Sequence, residues 1–376
     1  MSKIEMVDLK GQYLRIKEEI DRGIQEVIDG TTFINGPQTK RFEVEFADYL
    51  HVKRVVPCGN GTDALQIALM ALDLEPEDEI IVPAFTYVAT AEVIKLLGLN
   101  VVMAEVDPDT FMLTAEEVAK LVTPRTKAVI PVHLYGQSAP MESIMALSEK
   151  HGFYVIEDAA QSIGAVYTFT DGRTAHVGTI GHFGCTSFFP SKNLGCYGDG
   201  GAVMSNDEEL GERAWRIANH GQAKKYHHSL VGCNSRLDSI QAAVLLAKLP
   251  HLDNYCKARA AVAEAYDTAF EDLEWLETPQ RSSFSTHVFH QYTVKVVADE
   301  DRDLLKEHLQ SLGIPSMVYY PIPLHQQEAF KDARYPLGSF PISEQLCKCV
   351  LSLPIHTEMK TDVLEKIIAG VKSFKS

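Results

Sequence analysis

The sequence lacks the features of a membrane, secreted or metal-binding protein. No apolar run among its 376 residues is long enough to span a bilayer, and the charged N-terminal residues predict that no signal peptide is present. The seven cysteines are odd in number and contain no CxxC pair, which predicts neither a disulfide framework nor a metal site. These absences indicate a cytoplasmic protein with no membrane partner.

Basic residues are also scarce. The 35 lysines and arginines stand against 51 aspartates and glutamates, so the net charge is −16 at pH 7. A nucleic-acid-binding protein needs a basic face to neutralise phosphates, and this composition therefore predicts no nucleic-acid partner. The overall charge still leaves room for a local basic pocket that binds a nucleotide.

The order of the hydrophobic runs predicts an α/β fold with a mostly parallel sheet. Short apolar runs alternate with helical patterns, and the runs lack strict polar alternation, as expected for strands that are covered on both faces. The clearest strands are predicted at 54–57, 79–83, 101–106, 128–132 and 154–158. Ligands in such sheets bind at the carboxyl ends of the strands.

The C-terminal part of the chain has a different pattern. A long helix is predicted at 250–271, followed by shorter units that include a strand at 291–297 and a helix at 301–312. This mixture predicts a smaller α+β domain, so we assign residues 1–250 to a large domain and 251–376 to a small one. Near the N-terminus, apolar residues at helical spacing predict one helix over 11–30.

The stretch CTSFFPSKNLGCYGDGG, at 185–201, holds a lysine between an aromatic turn and four glycines. Glycine allows positive φ angles and the close approach of other groups to the backbone. If Lys192 is partly desolvated in this loop, its pKa falls and its amine can act as a nucleophile or form a Schiff base. The alternative, from this stretch alone, is a surface lysine in a mobile loop.

Two other segments have chemistry that suits such an amine. Small residues at 58–63 lead directly into an amphipathic helix, whose first N–H groups and dipole favour a phosphate. The alternative is an ordinary strand–turn–helix capped by Thr62 or Asp63. Asp158 ends an apolar strand at the edge where ligands bind, and it could hold a protonated ring nitrogen or cap the next helix. Amine, carboxylate and phosphate site together indicate pyridoxal 5'-phosphate, whose protonated ring accepts carbanion electrons.

Six motifs between residues 60 and 243 support this interpretation, within a similarity that runs from Val7-Asp8-Leu9 to Ser352-Leu353-Pro354. They are NGTDAL at 60–65, PAFTYVAT at 83–90, EDAAQSIGA at 157–165, SFFPSKNLG at 187–195, GDGGA at 198–202 and NSRLDSIQAA at 234–243. In combination they make the chain resemble the sugar aminotransferases of the DegT/DnrJ/EryC1/StrS family, which are pyridoxal phosphate enzymes of fold type I. The resemblance implies a seven-stranded, mostly parallel sheet in the large domain and a homodimer with shared active sites.

The resemblance also implies a role for each matching residue. Lys192 is expected to bond to the cofactor and to move protons, and Asp158 is expected to pair with the ring nitrogen as the second catalytic residue. The other expected cofactor contacts are Gly61, Thr62, Asp63 and Ser187 at the phosphate, Gln161 at the phenolic oxygen, Tyr87 on the ring face, and Asn234 at the phosphate of the neighbouring subunit. The implied amino donor is L-glutamate, and the acceptor is a keto sugar on a nucleoside diphosphate.

Within the family, the segment YYPIPLHQQEAF at 319–330 resembles that of members that aminate C3 rather than C4. The chain is most similar to enzymes that aminate UDP-2-acetamido-2-deoxy-3-oxo-glucuronate for surface polysaccharides such as O-antigen. The residues then expected to bind substrate are polar or basic: Arg236, His227, His228, Tyr319, Tyr320 and His325. Arg236 is the candidate for the uronate carboxylate, and its alternative is a helix-start salt bridge with Asp238.

Other functions fit the sequence less well. Dehydratases of this kind carry histidine in place of the lysine, and a non-enzymatic regulatory protein has no need of Lys192, Asp158 and Gln161 together. The basic run at 220–228, HGQAKKYHH, is a candidate ligand loop, although a solvated loop fits its composition equally well. Two alternatives remain open: a dTDP-3-oxo-6-deoxyhexose 3-aminotransferase, and an enzyme that aminates C4 of a nucleotide sugar.

Overall fold

A computed structural model describes residues 4–375, and its elements follow the predicted order. The helices are α1 (Leu9–Arg15), α2 (Lys17–Gly30), α3 (Pro37–Leu50), α4 (Gly61–Ala71), α5 (Ala89–Leu96), α6 (Ala115–Ala119), α7 (Met141–His151), α8 (Glu208–Ala218), α9 (Ser239–Lys248), α10 (Leu252–Phe270), α11 (Asp299–Ser311), α12 (Pro341–Cys349) and α13 (Thr361–Lys372). The strands are β1 (Arg54–Cys58), β2 (Glu79–Pro83), β3 (Asn100–Ala104), β4 (Thr126–Val129), β5 (Tyr154–Asp158), β6 (Val166–Thr168), β7 (Thr174–His176), β8 (Phe183–Ser187), β9 (Gly201–Ser205), β10 (Gln222–Lys224), β11 (His227–His228), β12 (Leu276–Glu277), β13 (Tyr292–Val296) and β14 (Val350–Leu353).

Seven strands form the central sheet, in the order β1-β9-β8-β5-β4-β2-β3. Only β9 runs against its neighbours, since β1 and β8 both pair with it in antiparallel fashion and the other pairs are parallel. The predicted seven-stranded, mostly parallel sheet is therefore confirmed. The carboxyl ends of the six strands that run the same way lie at one edge of the sheet.

Both faces of this sheet are covered, which explains why its strands are apolar without alternation. Helices α4, α5 and α8 pack on one face through a cluster that includes Ile67, Val93 and Ile217. On the other face, α6 and α7 pack over the β2–β5 half, and α3 and α9 pack over β1 and β9. The helices packed on both faces of the sheet thus hold the strand ends in place.

A second, smaller sheet has the order β12-β13-β14. It forms its own apolar cluster with α10, α11 and α13, in which Tyr266, Tyr292 and Leu309 are fully buried. The predicted α+β character of the C-terminal part agrees with this arrangement, while the boundary at 250/251 stays a prediction. None of the helices within 4–375 is long and apolar enough to cross a membrane.

The predicted single helix over 11–30 is wrong, because the structure divides it into α1 and α2 at Ile16. Ile16 leaves the helical conformation, with φ −124° and ψ 25°. Its side chain is 7% exposed and packs with Ile20 and Val244 of α9. The free energy gained by burying the Ile16 side chain against α9 thus outweighs that of continuing one helix through this position.

Candidate active site

A cavity of about 580 Å³ opens at the carboxyl edge of the central sheet. Segments that follow β1, β2, β5 and β8 line it, together with two segments from the C-terminal part of the chain. Ten of the predicted site residues lie in its wall: Gly61, Thr62, Asp63, Tyr87, Asp158, Gln161, Ser187, Lys192, Tyr319 and Tyr320. Residues up to 260 positions apart in the sequence therefore meet where the topology predicts a ligand.

Lys192 lies in a loop that is closed by its own backbone. The Lys192 N–H donates to the Phe189 carbonyl at 2.8 Å, and the Cys196 N–H donates to the Phe188 carbonyl at 2.8 Å. Burial lowers the pKa of the Lys192 amine to about 8, and the charge of Asp158 partly opposes this shift. An amine with this pKa has a substantial neutral fraction near neutral pH, as a nucleophile requires.

The close turn of this loop requires glycine at 195. A Cβ atom there would lie 2.4 Å from the Pro190 carbonyl oxygen. The ammonium of Lys248, in α9, donates to the Gly195 carbonyl at 2.7 Å and lies 4.6 Å from the centre of the Tyr197 ring. The buried Lys248 thus stabilises the loop that carries Lys192.

Asp158 ends β5 with its carboxylate in the cavity. It accepts hydrogen bonds from the Thr90 hydroxyl at 2.9 Å and from the Ala160 N–H at 3.2 Å. Burial raises the pKa of Asp158, while the hydrogen bond from Thr90 lowers it. A cation bound beside this carboxylate offsets the cost of its burial, so the site favours a protonated ring nitrogen.

Glu157, the preceding residue, points to the opposite face of the sheet and is completely buried. It accepts from the N–H groups of Gly178, Ile180 and Gly181 and from His133 Nε2 at 2.9 Å. The other ring nitrogen of His133 accepts from the Ala139 N–H at 3.1 Å. This network satisfies the carboxylate and fixes the end of β5, and hence Asp158.

The start of α4 lines the cavity, and its cap is Asn60 rather than Thr62 or Asp63. Asn60 Oδ1 accepts from the Asp63 N–H at 2.8 Å, which leaves the N–H groups of Gly61 and Thr62 for a ligand. The Asp63 carboxylate accepts from the Ser235 hydroxyl at 2.6 Å, so both the N–H and the carboxylate of Asp63 have partners within the chain. A Cβ at Gly61 would lie 2.8 Å from the Ser187 Cβ, so glycine lets Ser187 approach this site.

Gln161 is held between two tyrosines. Its side-chain oxygen accepts from the Tyr135 backbone N–H at 2.7 Å, and its side-chain nitrogen donates to the Tyr320 hydroxyl at 3.2 Å. The Tyr87 ring is 55% exposed, and its centre lies 6.0 Å from that of Tyr320. The exposed ring of Tyr87 is accessible to a flat ligand, and its contact with the cofactor ring stays a prediction.

The cavity is also lined by polar residues that the sequence interpretation did not assign to the site, among them Thr86, Asp199, His290 and Gln291. Three of them have a buried polar atom without a hydrogen-bond partner within residues 4–375, namely Thr86 Oγ1, His290 Nδ1 and Gln291 Oε1. The last two have a weak signal in the sequence, since His290-Gln291 is a polar pair directly before the apolar strand β13. Nothing in the sequence placed that pair next to Lys192.

Five of the predicted residues lie outside this cavity, and their site roles stay predictions. Asn234, His227 and His228 are exposed, and the two histidines belong to the β10–β11 hairpin. Arg236 is partly buried and has no hydrogen bond or ion pair to another residue of the described chain, so the alternative bridge to Asp238 is not formed. His325 is buried, and its Nε2 lies 2.9 Å from Glu344 Oε1.

The residues present fit pyridoxal phosphate. Orphaned polar atoms line the cavity, a helix start offers two N–H groups for a phosphate, and a buried carboxylate faces a low-pKa lysine. When bound, the cofactor supplies an electron sink for carbanion chemistry. Fold and cavity together define a pyridoxal phosphate-dependent enzyme of fold type I.

Comparison with known proteins gives the family. The model for the DegT/DnrJ/EryC1/StrS aminotransferase family matches residues 14–372. The UDP-2-acetamido-2-deoxy-3-oxo-D-glucuronate aminotransferase of Pseudomonas aeruginosa is 45% identical over 368 residues, which are 98% of this chain and 99% of the relative. The UDP-N-acetyl-3-dehydro-alpha-D-glucosamine 3-aminotransferase of Acidithiobacillus ferrooxidans is 43% identical over 369 residues, which are 98% and 97% of the two chains.

A solved structure agrees over the full length. The crystal structure of S. venezuelae DesV in complex with a ketimine intermediate has a TM-score of 0.95 and 38% identity, and the match covers 100% of both chains. The chain therefore belongs to the DegT/DnrJ/EryC1/StrS family, and it is a pyridoxal phosphate-dependent sugar aminotransferase. The predicted family, fold type and cofactor are confirmed.

Proposed function

We propose that this enzyme moves the amino group of L-glutamate to the 3-keto group of UDP-2-acetamido-2-deoxy-3-oxo-glucuronate. The observation that carries the proposal is the 45% identity, over nearly all of both chains, to the Pseudomonas aeruginosa aminotransferase named for that sugar. The product is a 3-amino uronate precursor for surface polysaccharides such as O-antigen, made in the cytoplasm.

The charge of the cavity supports a site completed by a second subunit. Its charged lining residues are Asp63, Asp158 and Asp199 against the single cation Lys192. A nucleoside diphosphate, a uronate and L-glutamate are all anions, so their binding needs more positive charge than one chain supplies. We assign these cations to the partner of a homodimer.

The residues that best match this need lie on one exposed region. We call residues 220–236 the basic segment; it contains Lys224, Lys225, His227, His228 and Arg236. Exposed apolar side chains occur on it and near it, including Tyr226 at 80% and Val231 at 86%. Such side chains are typical of a surface that a partner covers. Asn234 and Arg236 are then placed to serve the site of the neighbouring chain.

The role of Arg236 is tested with two substrates that differ at one carbon. UDP-2-acetamido-2-deoxy-3-oxo-glucuronate has a carboxylate at C6, and the 3-oxo sugar of UDP-N-acetylglucosamine has a hydroxymethyl group there. We expect wild-type kcat/KM to favour the uronate, because an arginine bound bidentately to a carboxylate contributes strongly. Arg236→Gln should lower kcat/KM for the uronate by about 10- to 150-fold, the range for a hydrogen bond to a charged group.

The neutral sugar is the control, and Arg236→Gln should change its kcat/KM much less. An equal loss with both sugars means that Arg236 does not read the carboxylate. Turnover of a dTDP-3-oxo-6-deoxyhexose in preference to both would make the first alternative correct. Formation of a 4-amino product would make the second correct.

A further inference from the structure

Ser235 lies behind the wall of the cavity and does not line it. The residue is 3% exposed, and its N–H donates to the Ala218 carbonyl, at the end of α8, at 3.0 Å. Its hydroxyl contacts the turn between β1 and α4, from which part of the cavity wall is built. A buried side chain outside the cavity thus reaches the structure that shapes it.

The Ser235 hydroxyl bridges two groups of this turn. It accepts from the Gly59 N–H at 2.9 Å and donates to Asp63 Oδ2 at 2.6 Å. The direction of the second bond is fixed, since an ionised carboxylate has no proton to donate. A hydrogen bond to an ionised acceptor is about twice as strong as a neutral one, so this contact holds the carboxylate firmly.

Glycine at position 59 makes room for the carboxylate. A Cβ atom there would lie 2.8 Å from Asp63 Oδ2 and 3.3 Å from Ser235 Oγ. The Asp63 side chain is therefore folded back towards residue 59, past the cap of α4. No other residue within 4–375 donates to this carboxylate, so Ser235 is the group that fixes its direction.

Asp63 is the third residue of α4, and its carboxylate has a second possible place there. The cap Asn60 accepts from the Asp63 N–H, and the N–H groups of Gly61 and Thr62 have no partner within the described chain. A carboxylate in the first turn of a helix is attracted to such groups and to the positive end of the helix dipole. Without a restraint, Asp63 would therefore compete for the two N–H groups.

The phosphate of pyridoxal phosphate is predicted to bind at the same two N–H groups. Asp63 lines the cavity next to them, so a carboxylate turned towards them would occupy the place of the phosphate and repel it. Thr86 Oγ1 and His290 Nδ1, which are buried in the same wall without partners among residues 4–375, point independently to a bound ligand. The direction of the Asp63 side chain thus decides whether the helix start is open.

We propose that Ser235 is a positioning residue for the phosphate site: its hydroxyl holds the Asp63 carboxylate against Gly59, away from the free N–H groups at the start of α4, which then stay open for the cofactor phosphate. The proposal rests on the predicted place of the phosphate and not on the sugar of the proposed function. Ser235 does not line the cavity, and it acts through Asp63 alone.

The test compares two ligands that differ only in the phosphate. Full-length protein from which the cofactor has been removed is titrated with pyridoxal phosphate and, separately, with pyridoxal, which has a hydroxyl in place of the phosphate ester. The dissociation constant of each ligand is read from the visible absorption of the bound aldehyde. All variants meet the same two reagents, so a change in the ratio of the two constants reports the phosphate site of the protein.

Ser235→Ala should raise the dissociation constant of pyridoxal phosphate about tenfold, within the range for a carboxylate at a partly buried helix N-terminus. The constant of pyridoxal should stay close to that of the wild type, because pyridoxal has no phosphate with which Asp63 could compete. Thermal unfolding of each variant reports stability separately.

A second substitution shows whether the effect passes through the carboxylate. Asp63→Ala removes the competing anion, so adding Ser235→Ala in that background should cause no further loss of pyridoxal phosphate binding. If Asp63→Ala does not fold, Asp63→Asn gives the same comparison with a neutral side chain.

Ser205→Ala is the matched control. Ser205 is also 3% exposed, and its hydroxyl likewise accepts from a backbone N–H, that of Asp207 at 3.1 Å, and donates to an oxygen, the His182 carbonyl at 2.9 Å. It lies in β9 and does not line the cavity. Both dissociation constants of this variant should equal those of the wild type.

Three results would overturn the proposal. An unchanged constant for pyridoxal phosphate in Ser235→Ala means that the carboxylate does not compete. An equal loss with pyridoxal means a general distortion of the turn, and a loss that persists in the Asp63→Ala background means that Ser235 acts through Gly59. Failure of the wild type to form a visible band with either ligand would remove this proposal and the proposed function together, whereas an error in the proposed sugar leaves all these constants as they are.

Discussion

The cofactor wall and the basic segment differ in how they are built. The cofactor wall is formed by the strand ends and helix start that carry Asp158, Gln161, Ser187, Lys192 and Gly61, and its polar groups are held by short hydrogen bonds within one chain. The basic segment, 220–236, is mostly exposed, and Arg236 has no partner in the described chain. The first region is held by hydrogen bonds within the chain, whereas the Arg236 guanidinium of the second makes none among residues 4–375.

This difference separates the chemistry of the enzyme from its specificity. Proton transfer requires groups placed to within a fraction of an ångström, and rigid strand ends provide that placement. Recognition of varied sugars can be carried by exposed loops and by a partner subunit, where sequence changes do not disturb the core. Relatives named for different nucleotide sugars still match this chain over nearly its full length.

The largest effects are expected from one variant in the cofactor wall and one in the basic segment, tested separately and then in a mixed dimer. Lys192→Ala should lower turnover by at least about 10⁴-fold, because it removes both the nucleophile and the acid–base group. A chain with Asn234→Ala and Arg236→Gln should also turn over the uronate poorly. Mixed dimers of the two chains, isolated with two different affinity tags, should recover about half of the wild-type rate, since one of their two equivalent sites is intact.

Activity returns only if the basic segment of each chain contributes to the active site of the other chain. If each chain used its own segment, both sites of the mixed dimer would carry a defect and no activity would return. Doubly tagged wild-type dimers provide the reference rate. Size-exclusion chromatography of the mixed species checks that dimers formed.

A smaller loss is expected from the groups that support the cofactor wall. Asp158→Asn should lower the first half-reaction with L-glutamate by about 10²- to 10³-fold, as for other fixed electrostatic groups. Thr90→Val removes the hydroxyl that donates to Asp158 at 2.9 Å and should cost about tenfold. The rate is followed through the visible absorption of the bound cofactor in single-turnover experiments.

The order of these two losses is the informative result. A larger effect from Thr90→Val than from Asp158→Asn would mean that the hydroxyl, rather than the carboxylate charge, is what the cofactor needs. Ser138→Ala is a useful control, because this buried hydroxyl donates to the Ala139 carbonyl and does not line the cavity. It should leave the first half-reaction unchanged.

The sequence was sufficient for the parts of the site that follow from strand topology. Asp158 was found because it ends an apolar strand, and Lys192 because aromatic residues and glycines enclose it. Helix register was harder: the cap of α4 is Asn60, two residues before Thr62 and three before Asp63, the two positions considered.

The residues missed by the sequence interpretation depend on long-range packing. His290 and Gln291 reach the cavity because Arg259 and Asn193 clamp the segment 288–290. Arg259 lies in α10 at the helical spacing of the buried Tyr255, Val262 and Tyr266. That spacing indicates the face on which it lies, but its three carbonyl partners, at 289, 290 and 355, are distant in the sequence.

The smallest effect concerns stability, and it comes from Lys248 beneath the cofactor wall. Burial lowers the pKa of its amine from 10.5 to about 8. Between these values the unfolded chain binds more protons than the folded one, so the contribution of Lys248 to stability rises with pH over this window. Below pH 8 the folded protein carries the full cost of a buried ammonium, which is up to about 3 kcal/mol.

Lys248→Met removes this titration together with the hydrogen bond to Gly195. The free energy of unfolding of each protein is measured by denaturant titration at a series of pH values. The variant should be more stable than the wild type by the largest margin below pH 8. This margin should shrink as the pH rises towards 10.5. Taking the difference between the two proteins cancels the titration of the buried cysteines and tyrosines that do not interact with Lys248. A difference that does not change with pH would mean that Lys248 is neutral or well solvated in the folded protein.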